Sequence, residues 1–479
     1  MKPLFLNKIC LSAAILLMAA TANAVPNTFA NNETAEIKRF LQRNFADRDY
    51  GIVVGFIDEK GSKVIGAGHL DNTRGSQVNG DTIFEIGSIT KTFTSLLYLD
   101  MVRRGELEKD APISRYLPAN IEVPAYDGRE ITLMNLAAQD SGLPFNADNH
   151  VPNAGIEGLN AYTADDLYVF LSKYHLTQMP GNKFQYSNIG MALLGHIMER
   201  QSGVDYESLV VDRICGPLNM HDTRITLTPG QRSRLATGHG ADGEPAPYYN
   251  FQVMQPAGSF HSTAYDLLKY LSAQLGLTET GLTPVIMQSH MILHESDPYF
   301  GDSAIPWVNR GVYVPVGSRL LGHAGGTAGQ STFIGFDLQK KRGVVVLTNE
   351  KIVQSGKRQW IAEAIGWTLL QGYPLTPERG AKLLHEVTGY GFFLGQDRET
   401  GLISIEKVFP ESPASRMGIK AGLSIISING VSTKNKSLQE GLALMRGPVG
   451  TKIRLELAGT NPDDVKVVEM TKKKFLALF

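Results

Sequence analysis

The chain has 479 residues, 43% hydrophobic and 19% charged, a balance that lets it bury a large core and sets it apart from disordered chains. Its formal net charge is -1, so the basic excess of a general nucleic-acid binder is missing. At about 150 residues per domain the length suits two to three units.

The first residues read MKPLFLNKICLSAAILLMAATANA. Lys2 and Lys8 make a positive start, Ile9 to Ala20 is a short apolar run, and Ala22-Asn23-Ala24 is a small-residue cleavage pattern. The run is shorter than the ~18 apolar residues of a membrane span. Residues 1–24 are therefore expected to be a secretory signal cut after Ala24, leaving a periplasmic chain without stable membrane insertion. Of the two cysteines, Cys10 lies in that signal, and Cys215 remains alone as an expected buried apolar residue. No histidine and cysteine cluster has zinc-site spacing, so no metal and no cofactor is expected.

Thr34 to Asn44 has the period of an amphipathic helix, with Thr34 as cap and Ile37, Phe40 and Leu41 on its apolar face. GIVVGFID (51–58) and KVIGAGHL (63–70) read as a hairpin about Lys60-Gly61. Ser88 is placed as the N-cap of a helix running to about Arg103, with Ile89, Phe93, Leu96, Leu97 and Met101 on its apolar face. The middle of the chain is loop-rich, with helical stretches at Met191–Gln201 and Ala264–Leu275. LLGHAGG (320–326), STFIGFDL (331–338) and GVVVLTN (343–349) are strand-like, and a helix is expected over Arg358–Leu370. Val344–Leu347 is continuously apolar, as in a strand covered on both faces. One sheet built from both ends, with a helical insertion between, follows from this order.

FEIGSITKTFT (84–94) sets Lys91 one helical turn after Ser88. A lysine held in an apolar pocket loses its preference for the charged form and can take the serine proton or hold the base that does. The pattern Ser-x-x-Lys occurs a second time at Ser404–Lys407, but in a strand-like run, where residues three apart point to opposite faces. Tyr186-Ser187-Asn188 follows PGNKFQ and precedes a helix. A tyrosine near a lysine ammonium can act as a base, and Asn188 can hydrogen-bond the lysine and the carbonyl side of a substrate. Tyr248-Tyr249-Asn250 also matches Tyr-x-Asn, so that pattern needs its context. In His323-Ala324-Gly325, glycine lets a strand edge approach a ligand, and His323 can donate to a carboxylate or carbonyl.

Taken in order, FEIGSITKTFT, ITLMNLAAQDSGLP (131–144), PGNKFQYSNIGMALLGHIMERQSG (180–203), PAGSFHSTAYDLLKYL (256–271) and LLGHAGGTAGQSTFIGFDLQKKRGVVVLTN (320–349) form a series. The series resembles the serine β-lactamase-like family: class C β-lactamases, penicillin-recognising D,D-peptidases, and related esterases and D-amino-acid peptidases. The resemblance covers roughly residues 35 to 370. It implies that Ser88 is the acylated nucleophile, that Lys91 and Tyr186 are the proton-transfer pair, and that Asn188 belongs to the second motif. His323 and Gly325 take the place of the Lys-Thr-Gly strand, with Gly325 as substrate-binding, and the N–H groups of Ser88 and Gly326 would form an oxyanion hole. Tyr186 is preferred to Tyr248 because only Tyr186 has the family's Pro-Gly-x-x-x-x-Tyr-Ser-Asn context. His323 departs from the family's lysine. A permanent cation is replaced by a group neutral for much of the time near pH 7, which turns the expectation from β-lactam turnover toward peptidases and esterases.

EVTGYGFFLG (386–395) and SPASRMGIKAGLSIISING within 403–457 resemble a PDZ domain, particularly those of periplasmic proteases. The resemblance implies that Gly389, Tyr390, Gly391 and Phe392 form a carboxylate-capturing loop, and that the strand after them and the helix Leu438–Met445 hold a peptide. The last residues, TKKKFLALF, suggest a solvated basic run whose apolar end at Phe479 docks into a PDZ groove.

The expected fold class is α/β (α+β): a β-lactamase/transpeptidase-like antiparallel sheet flanked by helices with a helical subdomain, plus a small PDZ domain. The expected units are a signal (1–24), the hydrolase domain (25–375), a Pro- and Gly-bearing linker (376–384), the PDZ domain (385–470) and a tail (471–479). The expected function is an exported serine hydrolase acting through an acyl-enzyme on peptides, amides or small esters, without nucleic acid as a partner. Its alternatives are a class C-like β-lactamase and a non-catalytic peptidoglycan- or peptide-binding adaptor. Peptide or protein C-termini are the expected partners of the PDZ domain.

Overall fold

The computed structural model describes residues 31–477, apart from 72, 74, 150–154, 241–242, 298–300, 310–319, 351–352, 355–356, 359–360, 374, 376–384, 397–399, 409–411, 447–449 and 460–464. The expected signal (1–24), the linker (376–384) and Phe479 lie outside the described residues.

The first helix, α1 (Asn31–Phe45), begins three residues before the expected Thr34 and carries Glu33 in its first turn, where a negative charge favours a helix start. Ile37, Phe40 and Leu41 are buried as their spacing predicts. Strands β1 (Gly51–Asp58) and β2 (Gly61–Gly68) form the expected hairpin, closed where Asp58 accepts the Lys60 N–H at 2.7 Å. Helix α2 (Thr90–Arg103) buries Phe93, Leu96, Leu97 and Met101. Ser88 does not cap it: Ser88 lies in a preceding tight turn, Gly87–Ile89, and no side chain caps α2. Helix α3 (Asn188–Ser202) is capped by Ser187, which accepts the Gly190 N–H at 2.9 Å, and α4 (Ala264–Gln274) by Thr263.

Strands β3 (Leu320–Gly326), β4 (Ser331–Asp337) and β5 (Arg342–Thr348) complete a five-stranded antiparallel sheet of order β2-β1-β5-β4-β3. Both ends of the catalytic unit thus meet at the β1–β5 pair, as the sequence order predicts. Helix α5 (Ile361–Leu370) starts later than expected, because Lys357–Arg358 pairs with Val353–Gln354. Along β5 the apolar run divides by the strand period. Val344 and Val346 pack with Ile37, Phe40, Ile365 and Trp367 from α1 and α5. Val345 and Leu347 face the other core, with residues of α2, α3 and α4.

A third core, with Ile403, Ile405, Ile425, Ile428, Leu455 and Val468, belongs to the C-terminal residues. Its strands are β6 (His385–Gly389), β7 (Phe392–Gln396), β8 (Ile403–Val408), β9 (Ser424–Ile428), β10 (Lys452–Ala458), β11 (Val465–Thr471) and β12 (Lys473–Ala477). The sheet order is β7-β8-β9-β10-β11, and α6 (Leu438–Leu444) is capped by Ser437. The expected tail is corrected in part. Lys473–Ala477 is a strand paired antiparallel with β6, so the described part of the chain end does not occupy the edge of β7. Ser404, the second Ser-x-x-Lys match, lies in β8 as expected. Among the described residues, no helix is long and apolar enough to cross a membrane.

Candidate active site

The turn before α2 is shaped by two glycines. Gly87 has φ +51°, and a Cβ there would lie 2.6 Å from the Gly326 nitrogen, so only a bare α-carbon lets β3 come this close to Ser88. A Cβ on Gly325 would lie 1.9 Å from the Ile86 carbonyl oxygen. The same oxygen accepts a hydrogen bond from the Thr332 hydroxyl at 2.9 Å, which fastens β4 to the turn. Gly87 and Gly325 are thus needed first for docking, and docking is what brings the end of β3 beside the serine.

Lys91 lies on the first turn of α2 and is fully buried. Its Nζ donates to the Ser88 Oγ at 3.1 Å and to the Ala257 carbonyl at 2.6 Å. Burial pushes its pKa well below the ordinary lysine value, because the ammonium has given up its hydration. The Tyr186 ring centroid is 4.8 Å from Nζ. The same ring stacks on Phe145 at 5.7 Å and stands 6.2 Å from the His323 ring. Phe145 is 59% exposed, so an aromatic face is left open to solvent beside Tyr186.

The structure therefore brings Ser88, Lys91, Tyr186, His323, Gly325 and Gly326 into one place. Asn188, at the start of α3, points its amide at Asn146, donating to Oδ1 at 3.0 Å. That bond goes to this neighbour and not to Lys91, whose Nζ bonds Ser88 and Ala257. The His323 Nδ1 sits 2.8 Å from the Ala324 carbonyl, and a carbonyl only accepts, so Nδ1 carries the proton. In the neutral ring Nε2 is then an acceptor, and only the imidazolium offers a second N–H. Tyr248 stands elsewhere: its hydroxyl donates to the Ala236 carbonyl at 3.3 Å.

Sequence reasoning missed three supports. Ala257 supplies the carbonyl that anchors Lys91, and its only trace was the position of the PAGSF block in the series. Gln139, buried and at φ +60°, accepts the Ser187 N–H at 2.5 Å and donates to the Ser187 carbonyl at 3.1 Å, which fixes the segment that carries Tyr186 into α3. Glu85 is buried and accepts from the Tyr249 N–H at 2.7 Å and the Thr327 hydroxyl at 2.8 Å. Nothing in its spacing marks it out. Cys215 is buried, and burial pushes its thiol pKa up, away from reactivity.

In the C-terminal unit, Gly389 ends β6 and Phe392 starts β7, with Gly391 at φ +95° between. The Tyr390 carbonyl accepts the Ala414 N–H at 2.9 Å, and the Gly391 carbonyl accepts from the Ser412 hydroxyl at 3.2 Å. These bonds hold the loop, and β7 stands at the edge of its sheet.

Residues 41–366 match the family model for Beta-lactamase, and residues 404–459 match that for the PDZ domain. The D-alanyl-D-alanine-carboxypeptidase/endopeptidase AmpH of Escherichia coli (strain K12) is 30% identical over 195 residues, 41% of this chain and 49% of that protein. The chain thus matches about half the length of that relative. A beta-lactamase of Lysobacter lactamgenus is 23% identical over 381 residues, covering 72% of this chain and 95% of its own. The crystal structure of a class C beta lactamase from Rhodobacter sphaeroides superposes with a TM-score of 0.58 at 23% identity, over 68% of this chain and 96% of that one. That likeness shows the β-lactamase-like fold. With the family match spanning most of the chain and the PDZ match following it, the protein belongs to the β-lactamase family of serine hydrolases and carries a C-terminal PDZ domain.

Proposed function

We propose that the chain is an exported serine hydrolase that forms an acyl-enzyme on Ser88, acting on peptides or amides of the D-alanyl or D-amino-acid type and, second, on small esters. The observation that carries this reading is the buried Lys91 with its Nζ 3.1 Å from the Ser88 hydroxyl and locked onto the Ala257 carbonyl. In its neutral form Lys91 takes the Ser88 proton as Oγ attacks the substrate carbonyl. Tyr186, with its ring over Nζ, relays that proton to the leaving group. The N–H groups of Ser88 and Gly326 hold the oxyanion, a role supported by the closeness of Gly87 to Gly326. Water then cleaves the ester. Asn188 and Gly325 line the substrate side, and His323 grips a carboxylate when protonated. The serine ester chemistry requires no cofactor.

The name of the AmpH relative favours a D-alanyl peptide substrate, and the names of other relatives favour a β-lactam. His323 in place of a permanent cation favours the former. The non-catalytic adaptor reading fits poorly with a lysine held dry against a serine. The apolar start of the sequence supports export to the periplasm, and the PDZ match supports capture of peptide or protein C-termini by the loop Gly389 to Phe392 along β7. Intact mass after incubation with a fluorophosphonate or a penicillin tests the reading. Wild type should gain one adduct and Ser88→Ala none. Equal behaviour of the two, with no gain in mass, overturns it. A panel of D-Ala-D-Ala peptides, D-amino-acid amides, p-nitrophenyl esters and cephalosporins then separates the substrate classes.

A further inference from the structure

Three residues before Ser88, Glu85 is a buried carboxylate, 3% exposed, that accepts from two donors. Its Oε2 takes the hydroxyl proton of Thr327, the residue directly after Gly326, and its Oε1 takes the N–H of Tyr249. Its own N–H donates to the Gln330 side chain at 3.1 Å, and Gln330 passes the link on to the Ala236 carbonyl at 3.1 Å. The Thr327 N–H closes the same turn on the Gln330 carbonyl at 3.0 Å. The main chain here is pinned from the other side, where Ile86 N–H donates to the Phe260 carbonyl at 2.9 Å. One residue therefore clasps the turn that follows the end of β3, the Tyr248–Asn250 loop and the turn that carries the serine.

We propose that Glu85 is a positioning residue: its ionised carboxylate holds the Gly326–Thr327 corner in register with Ser88, so the site acylates fastest when Glu85 is charged. The inference rests on the acyl-transfer reading above.

The groups facing the carboxylate are the Tyr249 amide, the Thr327 hydroxyl and the Tyr248 phenol, whose own pKa is raised by burial first and by the Glu85 charge among lesser causes. Phe84–Glu85 pairs antiparallel with His261–Ser262, and His261, opposite Glu85, is pushed down to about 4 by burial and stays neutral. Burial raises the Glu85 carboxyl to about 7, against the pull of its two hydrogen bonds. Protonation turns one acceptor oxygen into a donor. The Thr327 hydroxyl must then rotate and accept, and a charge-assisted bond roughly twice as strong as a neutral one is lost.

The test is the pH dependence of the second-order acylation rate with a neutral p-nitrophenyl ester, alongside fluorophosphonate labelling of the full chain. Wild type should show a step of about 3–10-fold in rate, rising with pH through the Glu85 ionisation, on top of the ionisation of Lys91. Glu85→Gln keeps the shape but cannot ionise, so it should lose that step and stay at the low-pH plateau. Thr327→Val should lower the rate by about 3–10-fold while the step shrinks, because the clasp is cut at its other end. A Glu85→Gln profile with the shape and height of wild type overturns the inference. Should that variant not fold, Thr327→Val at the wild-type rate overturns it instead. Wild type that takes no label at Ser88 overturns the acyl-transfer reading, and this inference with it, whereas labelling with unchanged variant profiles overturns the inference alone.

Discussion

Gly325→Ala places one methyl group where the structure has no room. The added Cβ would meet the Ile86 carbonyl at 1.9 Å and the Thr332 Oγ1 at 2.3 Å, against an ordinary contact of 3.4 Å or more. Neither obstacle is the free end of a flexible side chain: one is backbone, and the other is tied to that backbone by a 2.9 Å hydrogen bond. The end of β3 must back away from the Ile86–Ser88 turn by about 1.5 Å, a gap that forfeits much of the van der Waals attraction between them. Two effects follow. Overpacking of this kind costs about 1–3 kcal/mol of stability. Retreat of Gly326 removes one of the two N–H groups assigned to the oxyanion, worth about 10^2–10^3 in rate. The assay is the acylation rate with a fluorophosphonate, with thermal unfolding measured on the same samples. Gly230→Ala, at a position with nothing within 4 Å of the new atom, is the control and should leave both unchanged. A folded Gly325→Ala that acylates within about threefold of wild type would refute the docking argument and the oxyanion assignment together.

Lys91→Met keeps the length of the side chain and removes the amine, so acylation should fall by about 10^2–10^4-fold, read as time to half-labelling. Glu85→Gln should change how stability varies with pH. The folded Glu85 pKa of about 7 lies above its ordinary 4.5, so the folded chain holds a proton that the unfolded chain has released between those values. Stability from this group is full below that window and falls as pH rises through it, by about 3 kcal/mol at most. Urea titrations at about pH 5 and pH 8 should therefore show wild type losing ground to the variant at the higher pH. His323→Lys puts a permanent cation where the neutral imidazole has no second N–H to give, and penicillin acylation should quicken by about tenfold with neutral esters unaffected. Removing Lys473–Phe479 bares the edge of β6, and amide exchange over 385–389 should accelerate about tenfold or more in the full chain.

Much of this was legible because it follows from period and order. The continuous run Val344–Leu347 announced a strand covered on both faces, and Val344 and Val345 do go to different cores. Ser88 and Lys91 meet because three residues span one turn where α2 begins. What could not be read is what depends on distant backbone. Ala257 acts through a carbonyl, which every residue has, so its identity carried no mark. Glu85 acts through Tyr249 and Thr327, which come 164 and 242 positions later. The Tyr-Tyr-Asn pattern, set aside as a catalytic motif in favour of Tyr186, is still informative by place: the Tyr249 amide donates to Glu85. Ser88 was misplaced as a cap because a serine before an apolar run usually is one. Here the positive φ of Gly87 turns the chain first, and the hydroxyl is left for Lys91.

The two ionisable groups nearest Ser88 in sequence are both held against their ordinary charge. Desolvation pushes Lys91 down and Glu85 up, each toward its neutral form. A fold selected for stability alone would replace both with apolar residues of similar shape, since burying a charge costs more than a hydrogen bond returns. Their positions give each a use in the proposed reaction. Lys91 lies under the serine, where a neutral amine is useful as a base. Glu85 lies behind the turn, where a charge strengthens the bonds that place the opposite wall. The cost in stability and the readiness of the serine thus come from one cause, exclusion of water from the ends of α2 and β3, and substitutions that relieve the first should weaken the second.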